Sequence, residues 1–291
     1  MARILITGAN GQLGQAFRKL SIHYPEHQFF FTDYQELDIT DYQQIDRAIT
    51  RYPQNFIINC AAYTAVDKAE DDQHNARFLN VNAVRYLAQL SKRHNCRLIH
   101  ISTDYVFNGN QFQPYNETDN VSPTSFYGKS KLEGEQEVLT HAENAIIIRT
   151  SWLYSEVGGN FVKTIRKYGR ERGELKVVFD QIGTPTFATD LAQAILNALP
   201  EIGKMNGVEL FHFSNEGVCS WFDFSKEIIE KSNITCKINP VTSDEYPTST
   251  KRPFYSVLNK KKWKTFFNTD IPYWKDSLQL CIDLLDEQER A

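Results

Sequence analysis

With 291 residues, 41% of them hydrophobic, and a formal net charge of −4, the chain can bury a large core and lacks the basic excess that marks a nucleic-acid partner. No apolar run reaches the ~18 residues of a membrane span and no signal-peptide pattern leads the chain, so it reads as cytoplasmic. Five scattered cysteines without a C-x-x-C pair read as buried free thiols, and seven histidines without paired spacing leave no metal site expected.

The first predicted element is a buried strand at residues 3–7, followed by a turn with Gly8, Gly11 and Gly14 three apart and then a helix at residues 12–20 with Leu13, Ala16, Phe17 and Leu20 on one face. A glycine turn between strand and helix lets the backbone bend sharply and aims free helix N–H groups at an anion such as a pyrophosphate. The spacing is one residue longer at the front than G-x-G-x-x-G, and glycine turns also occur without a ligand, so the next strand is the test. That strand, residues 28–32, ends at Asp33, where a carboxylate can accept hydrogen bonds from an adenosine ribose. The alternative for Asp33 is an ordinary strand-end turn. As a ribose ligand it would disfavour a 2′-phosphate, and so favour NADH over NADPH.

The alternation continues with a helix at 41–51, strand 56–59, helix 75–94, strand 97–102, helix 128–141 and strand 145–149. Such a series forms a parallel sheet with helices on both faces, and ligands bind beyond the carboxyl ends of its strands. After Trp152 the pattern becomes less regular. Residues 157–160, 181–186 and 247–253 read as loops, and 176–179 and 210–213 as strands. Lys260, Lys261 and Lys262 read as a solvated surface, and Leu278, Cys281, Ile282 and Leu285 as a packing stripe on a last helix. The expected division is a dinucleotide-binding part at 1–155 and a smaller part at 156–291 that partly interleaves with the sheet. Sequons at Asn116, Asn120 and Asn233 are discounted without a secretory signal.

Tyr127 and Lys131 lie four apart, on one helix face. An ammonium beside a phenol favours the phenolate and would bring the tyrosine towards neutral pH, where it can exchange a proton with an alkoxide. Y-x-x-x-K alone is common by chance. It gains weight from Thr103, at the hydroxyl-rich end of the strand before it, which could donate to a substrate carbonyl oxygen as charge grows there.

Glycine turn, strand-end hydroxyl and Y-x-x-x-K, in that order on one alternating sheet, resemble the extended short-chain dehydrogenase/reductase family. The resemblance implies an α/β fold, a Rossmann-type doubly wound parallel sheet with a smaller α/β C-terminal substrate-binding part. It assigns proton transfer to Tyr127, substrate orientation to Thr103, and the nicotinamide ribose to Lys131. It also implies that Gln12 and Leu13 in the glycine turn, Asp38 and Ile39 on the adenine side, and Ala62, Tyr63 and Thr64 after the third strand border an NADH or NADPH cofactor. Asn82 falls where relatives keep a structural asparagine, or is an exposed helix residue.

Segments 61–70, 102–107, 149–154 and 251–253 are similar to those of nucleotide-sugar reductases within that family. The implied small-molecule substrate is dTDP-4-dehydro-β-L-rhamnose, reduced at C4. Asp104 and Tyr105 would then hydrogen-bond the hexose, Trp152 would offer it a ring face unless it is a core residue, and Arg252 would pair with the diphosphate unless it is a surface arginine. Some relatives bind Mg²⁺ at a dimer contact through a carboxylate two residues after the third glycine. Ala16 stands there, after Gln15, and Phe187-Ala188-Thr189 lacks the second carboxylate, so Mg²⁺ is not expected and the chain is read as a monomer or homodimer. Rival readings are another nucleotide-sugar reductase or epimerase of the family, and a non-catalytic regulatory subunit similar to that of methionine adenosyltransferase. The presence of Thr103, Tyr127 and Lys131 together favours catalysis.

Overall fold

The computed structural model describes residues 1–290. The chain begins with β1 (Arg3–Thr7), α1 (Gln12–Leu20), β2 (Gln28–Phe31), α2 (Tyr42–Arg51), β3 (Phe56–Asn59), α3 (Gln73–Arg77), α4 (Ala83–Arg93), β4 (Arg97–Thr103), α5 (Phe126–His141) and β5 (Asn144–Thr150). It continues with β6 (Leu153–Tyr154), α6 (Phe161–Arg172), β7 (Glu174–Val178), β8 (Ile182–Gly183), β9 (Thr186–Phe187) and α7 (Ala188–Ile202). Last come β10 (Gly207–His212), β11 (Cys219–Ser220), α8 (Trp221–Lys231), β12 (Lys237–Val241), α9 (Lys261–Phe267) and α10 (Trp274–Arg290).

Six strands form one sheet in the order β10-β5-β4-β3-β1-β2, and every neighbouring pair is parallel. Side chains alternate across it. Ile4, Ile6, Ile58, Ile99 and Ile148 pack with Leu13 and Phe17 of α1 and Leu191, Ile195 and Leu199 of α7. Leu5, Ile57, Leu98 and Ile147 face the other way, against Ile45 of α2 and Leu87 and Leu90 of α4. Burial on both faces is why these strands read as nearly continuous apolar runs. The strand order turns back between β1 and β3, and in such sheets the crevice for ligands opens there, at the carboxyl ends.

A second core gathers Val162 and Ile165 of α6, Phe224 and Ile228 of α8, and Leu278, Cys281, Ile282 and Leu285 of α10. The predicted packing stripe of the last helix is buried there. Several expectations need correction. The expected strand at 210–213 is realised at 210–212 as the end of β10, which interleaves with the main sheet as its sixth strand because its apolar face completes the layer beyond β5. Segment 181–186 contains β8 and the start of β9 rather than only loop. Lys260 is buried, donating to the Asn215 carbonyl and paired with Glu216, because burial of Trp263 draws the start of α9 inward. Of the cysteines, Cys96, Cys219 and Cys281 are buried but Cys60 and Cys236 are only partly covered. Among the described residues, no helix is long and apolar enough to cross a membrane.

Candidate active site

The glycine turn runs from β1 into α1 across the crevice. Gly8 has φ +64°, and a Cβ there would lie 2.6 Å from the Ala61 nitrogen, so only glycine both makes the turn and admits the chain leaving β3. A Cβ on Gly14 would lie 2.5 Å from Ala9 Cα, which makes it the point of close packing of α1 beneath the turn. At Gly11 a Cβ would meet only the Gly8 carbonyl oxygen, at 3.3 Å. Gly11 is also the N-cap of α1, with no side chain capping the free N–H groups. The three positions therefore differ: Gly8 makes the turn, Gly14 lets α1 pack beneath it, and Gly11 leaves the uncapped helix N–H groups unobstructed, a geometry that suits an anion.

A cleft of about 1800 Å³ extends from this turn. That is more than the several hundred Å³ of a single-ligand pocket and has room for a dinucleotide and a second ligand end to end. Gly8, Gly11, Gln12 and Leu13 line it, with Asp33, Asp38 and Ile39 on the β2 side and Ala62, Tyr63 and Thr64 after β3. Thr103, Asp104, Tyr105, Tyr127, Lys131, Trp152 and Arg252 line its other part. Gly14 alone of the predicted site residues lies outside the lining. Asp33 accepts from the Asn10 backbone N–H at 2.8 Å, which fixes its carboxylate beside the turn. Asp38 accepts from the Thr40 N–H at 2.9 Å and hydroxyl at 2.6 Å.

Ser125 caps α5 by accepting from the Gly128 N–H, and a Cβ on Gly128 would sit 2.2 Å from the Tyr105 carbonyl oxygen. The glycine between Tyr127 and Lys131 thus lets the first turn of α5 press against the turn that follows β4. Tyr105 and Tyr127 meet edge to face, with ring centroids 5.5 Å apart. The Thr103 hydroxyl accepts from the Tyr105 N–H at 3.2 Å and donates to Asp104 at 3.1 Å.

Burial dominates the electrostatics. It pushes the Tyr127 phenol up to about 12, while the Thr103 hydroxyl pulls it back down and Asp104 adds to the rise. It pulls Lys131 down to about 8, against the opposing Glu135 carboxylate. Asp104 is pushed up to about 6, and its Oδ2 has no hydrogen-bond partner. The expected depression of Tyr127 by Lys131 is therefore corrected. Lys131 Nζ donates to the Ile101 carbonyl at 2.6 Å, and desolvation of the phenol outweighs any help from the ammonium. Tyr127 stays protonated at neutral pH, the form that can give a proton to a nascent alkoxide.

Trp152 takes φ +47° and stacks on Trp221, with ring centroids 3.5 Å apart, so one indole face is covered. Arg252 donates to Asp67 at 2.7 Å, tying the loop before α9 to the segment after β3. Asn80, not Asn82, is the buried asparagine. It accepts from the Tyr63 N–H at 2.9 Å, donates to the Tyr63 carbonyl at 3.1 Å and reaches Ser130 of α5 at 3.0 Å. Sequence reasoning also missed Trp221 and a knot in which Ser155 and Asn160 both donate to Gln12 Oε1. The adjoining Val157-Gly158-Gly159-Asn160 stretch was the one available signal for that knot.

A doubly wound parallel sheet, a glycine cradle at its switch point and a buried Thr103–Tyr127–Lys131 group beside it define a nicotinamide-dependent oxidoreductase of the extended short-chain dehydrogenase/reductase class. The chain belongs to the family described as "RmlD substrate binding domain", whose pattern matches residues 2–287. It is 40% identical over 288 residues to a dTDP-4-dehydrorhamnose reductase of Aggregatibacter actinomycetemcomitans, covering 96% of this chain and 98% of that one. A dTDP-4-dehydrorhamnose reductase structure from Clostridium acetobutylicum superposes with a TM-score of 0.92 at 42% identity, covering 98% and 99% of the two chains. The dTDP-4-dehydrorhamnose reductase of Bacillus anthracis, solved in complex with NADP, gives a TM-score of 0.92 at 37% identity, covering 97% and 99%.

Proposed function

We propose that the chain reduces the C4 keto group of dTDP-4-dehydro-β-L-rhamnose to the alcohol, giving dTDP-β-L-rhamnose, at the expense of a reduced nicotinamide cofactor. The observation that carries this reading is the joining, in one cleft, of a glycine turn with Thr103, Tyr127 and Lys131. When bound, the cofactor supplies the hydride and leaves oxidised. Thr103 donates to the carbonyl oxygen and steadies the negative charge that grows there. Tyr127 gives its phenolic proton to that oxygen, which is a stronger base than the phenolate left behind. Lys131 holds the nicotinamide ribose and stabilises that phenolate.

The remaining cleft residues fit the other parts of the two ligands. Backbone N–H groups of Gln12 and Leu13 receive the cofactor pyrophosphate, Asp38 and Ile39 border the adenine, and Ala62, Tyr63 and Thr64 line the middle of the dinucleotide. Asp33 takes the adenosine ribose hydroxyls, which favours NADH over NADPH. Asp104 and Tyr105 hydrogen-bond the hexose, Trp152 borders it, and Arg252 uses N–H groups not spent on Asp67 for the diphosphate. The division into a dinucleotide part at 1–155 and a mainly substrate-binding part at 156–291 follows the same assignment. The decisive experiment follows NADH absorbance on adding dTDP-4-dehydrorhamnose, with the product identified by NMR. Oxidation to dTDP-L-rhamnose is expected; NADH binding without oxidation would refute the substrate.

A further inference from the structure

Three successive residues of β4 each grip α5. The Ile101 carbonyl accepts from Lys131 Nζ, the Ser102 hydroxyl donates to Glu135 Oε1 at 2.5 Å, and the Thr103 hydroxyl stands against Tyr127. Tyr127, Lys131 and Glu135 follow one another at four-residue steps, so they form a single stripe on the buried face of the helix. Glu135 is 1% exposed and Arg149, across from it on β5, is 3% exposed. Arg149 donates to Glu135 through Nε at 2.9 Å and Nη2 at 2.7 Å, lies 5.1 Å from the centre of the Phe107 ring, and leaves Nη1 without a partner.

Stability alone does not call for this pair. Removing two charges from water costs several kcal/mol per ion, and well-packed apolar residues in such places are often equally stable. What the pair adds is a fixed carboxylate one helical turn from Lys131, and a second bond that sets where α5 lies along β4. We propose that Glu135 is a positioning residue: held by Arg149 and Ser102, it sets the register of α5 on β4 and keeps the Lys131 side chain an ammonium. This rests on the reading of Lys131 as the residue that holds the cofactor ribose.

The surroundings of Lys131 leave Glu135 as its main counter-charge. On β4, His100 is buried and pushed well below its ordinary value, so it is neutral, and Asp104 lies at the far end beside Thr103. After β3, burial pushes the Cys60 thiol up, so it is neutral as well. Tyr127, on α5 itself, is protonated. From β5 comes Arg149, with Glu117 and His212 beyond it. The charges over the outer face of α5 are engaged elsewhere: Glu70 accepts from the Phe126 N–H, Arg77 pairs with Glu133 and Arg85 with Glu137.

The test is NADH affinity against pH, read by fluorescence, alongside kcat against pH, for the intact chain and three variants. E135Q keeps the shape and leaves a lone guanidinium near Lys131, so the alkaline loss of NADH affinity moves to lower pH by about one unit or more. R149M leaves a lone carboxylate and moves the same limb to higher pH. S102A removes a neutral hydrogen bond, lowering affinity without moving the limb. Should E135Q fail to fold, R149M against the unmodified chain decides alone. Limbs that stay in place in every folded charge variant, whether or not the plateau falls, make the pair a structural tie and overturn the proposal. NADH binding without reduction of the sugar nucleotide would sink the substrate assignment while leaving this test intact.

Discussion

The two ends of the cleft work by different means. At the glycine turn the wall is backbone: side chains are absent at its three glycines, and no side chain caps the helix N–H groups. The Tyr127 end is lined instead by buried side chains, and desolvation moves the pKa values of Asp104, Tyr127 and Lys131 from their ordinary values. The difference teaches where each end is vulnerable. The first fails by steric filling, the second by a change of charge or the loss of one proton.

The sharpest break would come at the second end. Tyr127→Phe keeps the ring and removes the proton, so turnover is expected to fall about a thousandfold with NADH affinity unchanged, as read by absorbance and by fluorescence titration. Unchanged turnover would end the role given to Tyr127. Asp104 tests the same end through stability. Its carboxyl is raised from 3.8 to about 6 in the folded chain, so the native state keeps a proton that the unfolded chain releases. The stability contributed by protonated Asp104 is full below pH 4 and is lost as pH rises through 6, amounting to about 3 kcal/mol. Asp104→Asn carries no such charge. In urea unfolding it should gain on the unmodified chain between pH 4 and 7, and a gap independent of pH would contradict the burial argument.

At the glycine end the contrast can be sharpened with one pair of variants. Gly11→Val is expected to lower NADH affinity about a hundredfold, with unfolding free energy within about 0.5 kcal/mol. Gly14→Val should instead lose about 1–3 kcal/mol of stability, because its Cβ would strike Ala9. Equal losses of stability in both would erase the distinction between approach and packing. The smallest effect belongs to Asp33→Ser, which should cut the ratio of kcat/KM for NADH over NADPH about tenfold, a difference of about 1.4 kcal/mol.

The same contrast explains what the sequence made legible. Alternating apolar strands and a glycine turn are local patterns, so β1, α1, β3 and the crevice could be read directly. Buried polar residues are not local. The covered face of α5 consists of Tyr127, Gly128, Ser130, Lys131, Gly134, Glu135 and Val138, a mostly polar and glycine set that forms no apolar stripe, and the link to Arg149 exists only once β4 and β5 pair. Asn80 was missed because residues Phe78–Asn82 form a π-helical turn, which advances the helix face and turns Asn80 inward while Asn82 stays partly exposed. Lys260 was misread because a charge run looks solvated until Trp263 is seen to anchor it. Trp152 was left open between core and cleft, and it is partly both.

The stacking of Trp152 on Trp221 has an optical consequence. Two of the four tryptophans lie with ring planes 9° apart and centroids 3.5 Å apart at the edge of the cleft, while Trp263 and Trp274 are buried away from it. Indoles stacked in this way share one environment, so their near-ultraviolet circular dichroism and emission are expected to respond together when that environment changes. The protein thus carries its own reporter in the wall of the cleft, where both Trp152 and Trp221 stand: a ligand that shifts either ring would be visible without a label.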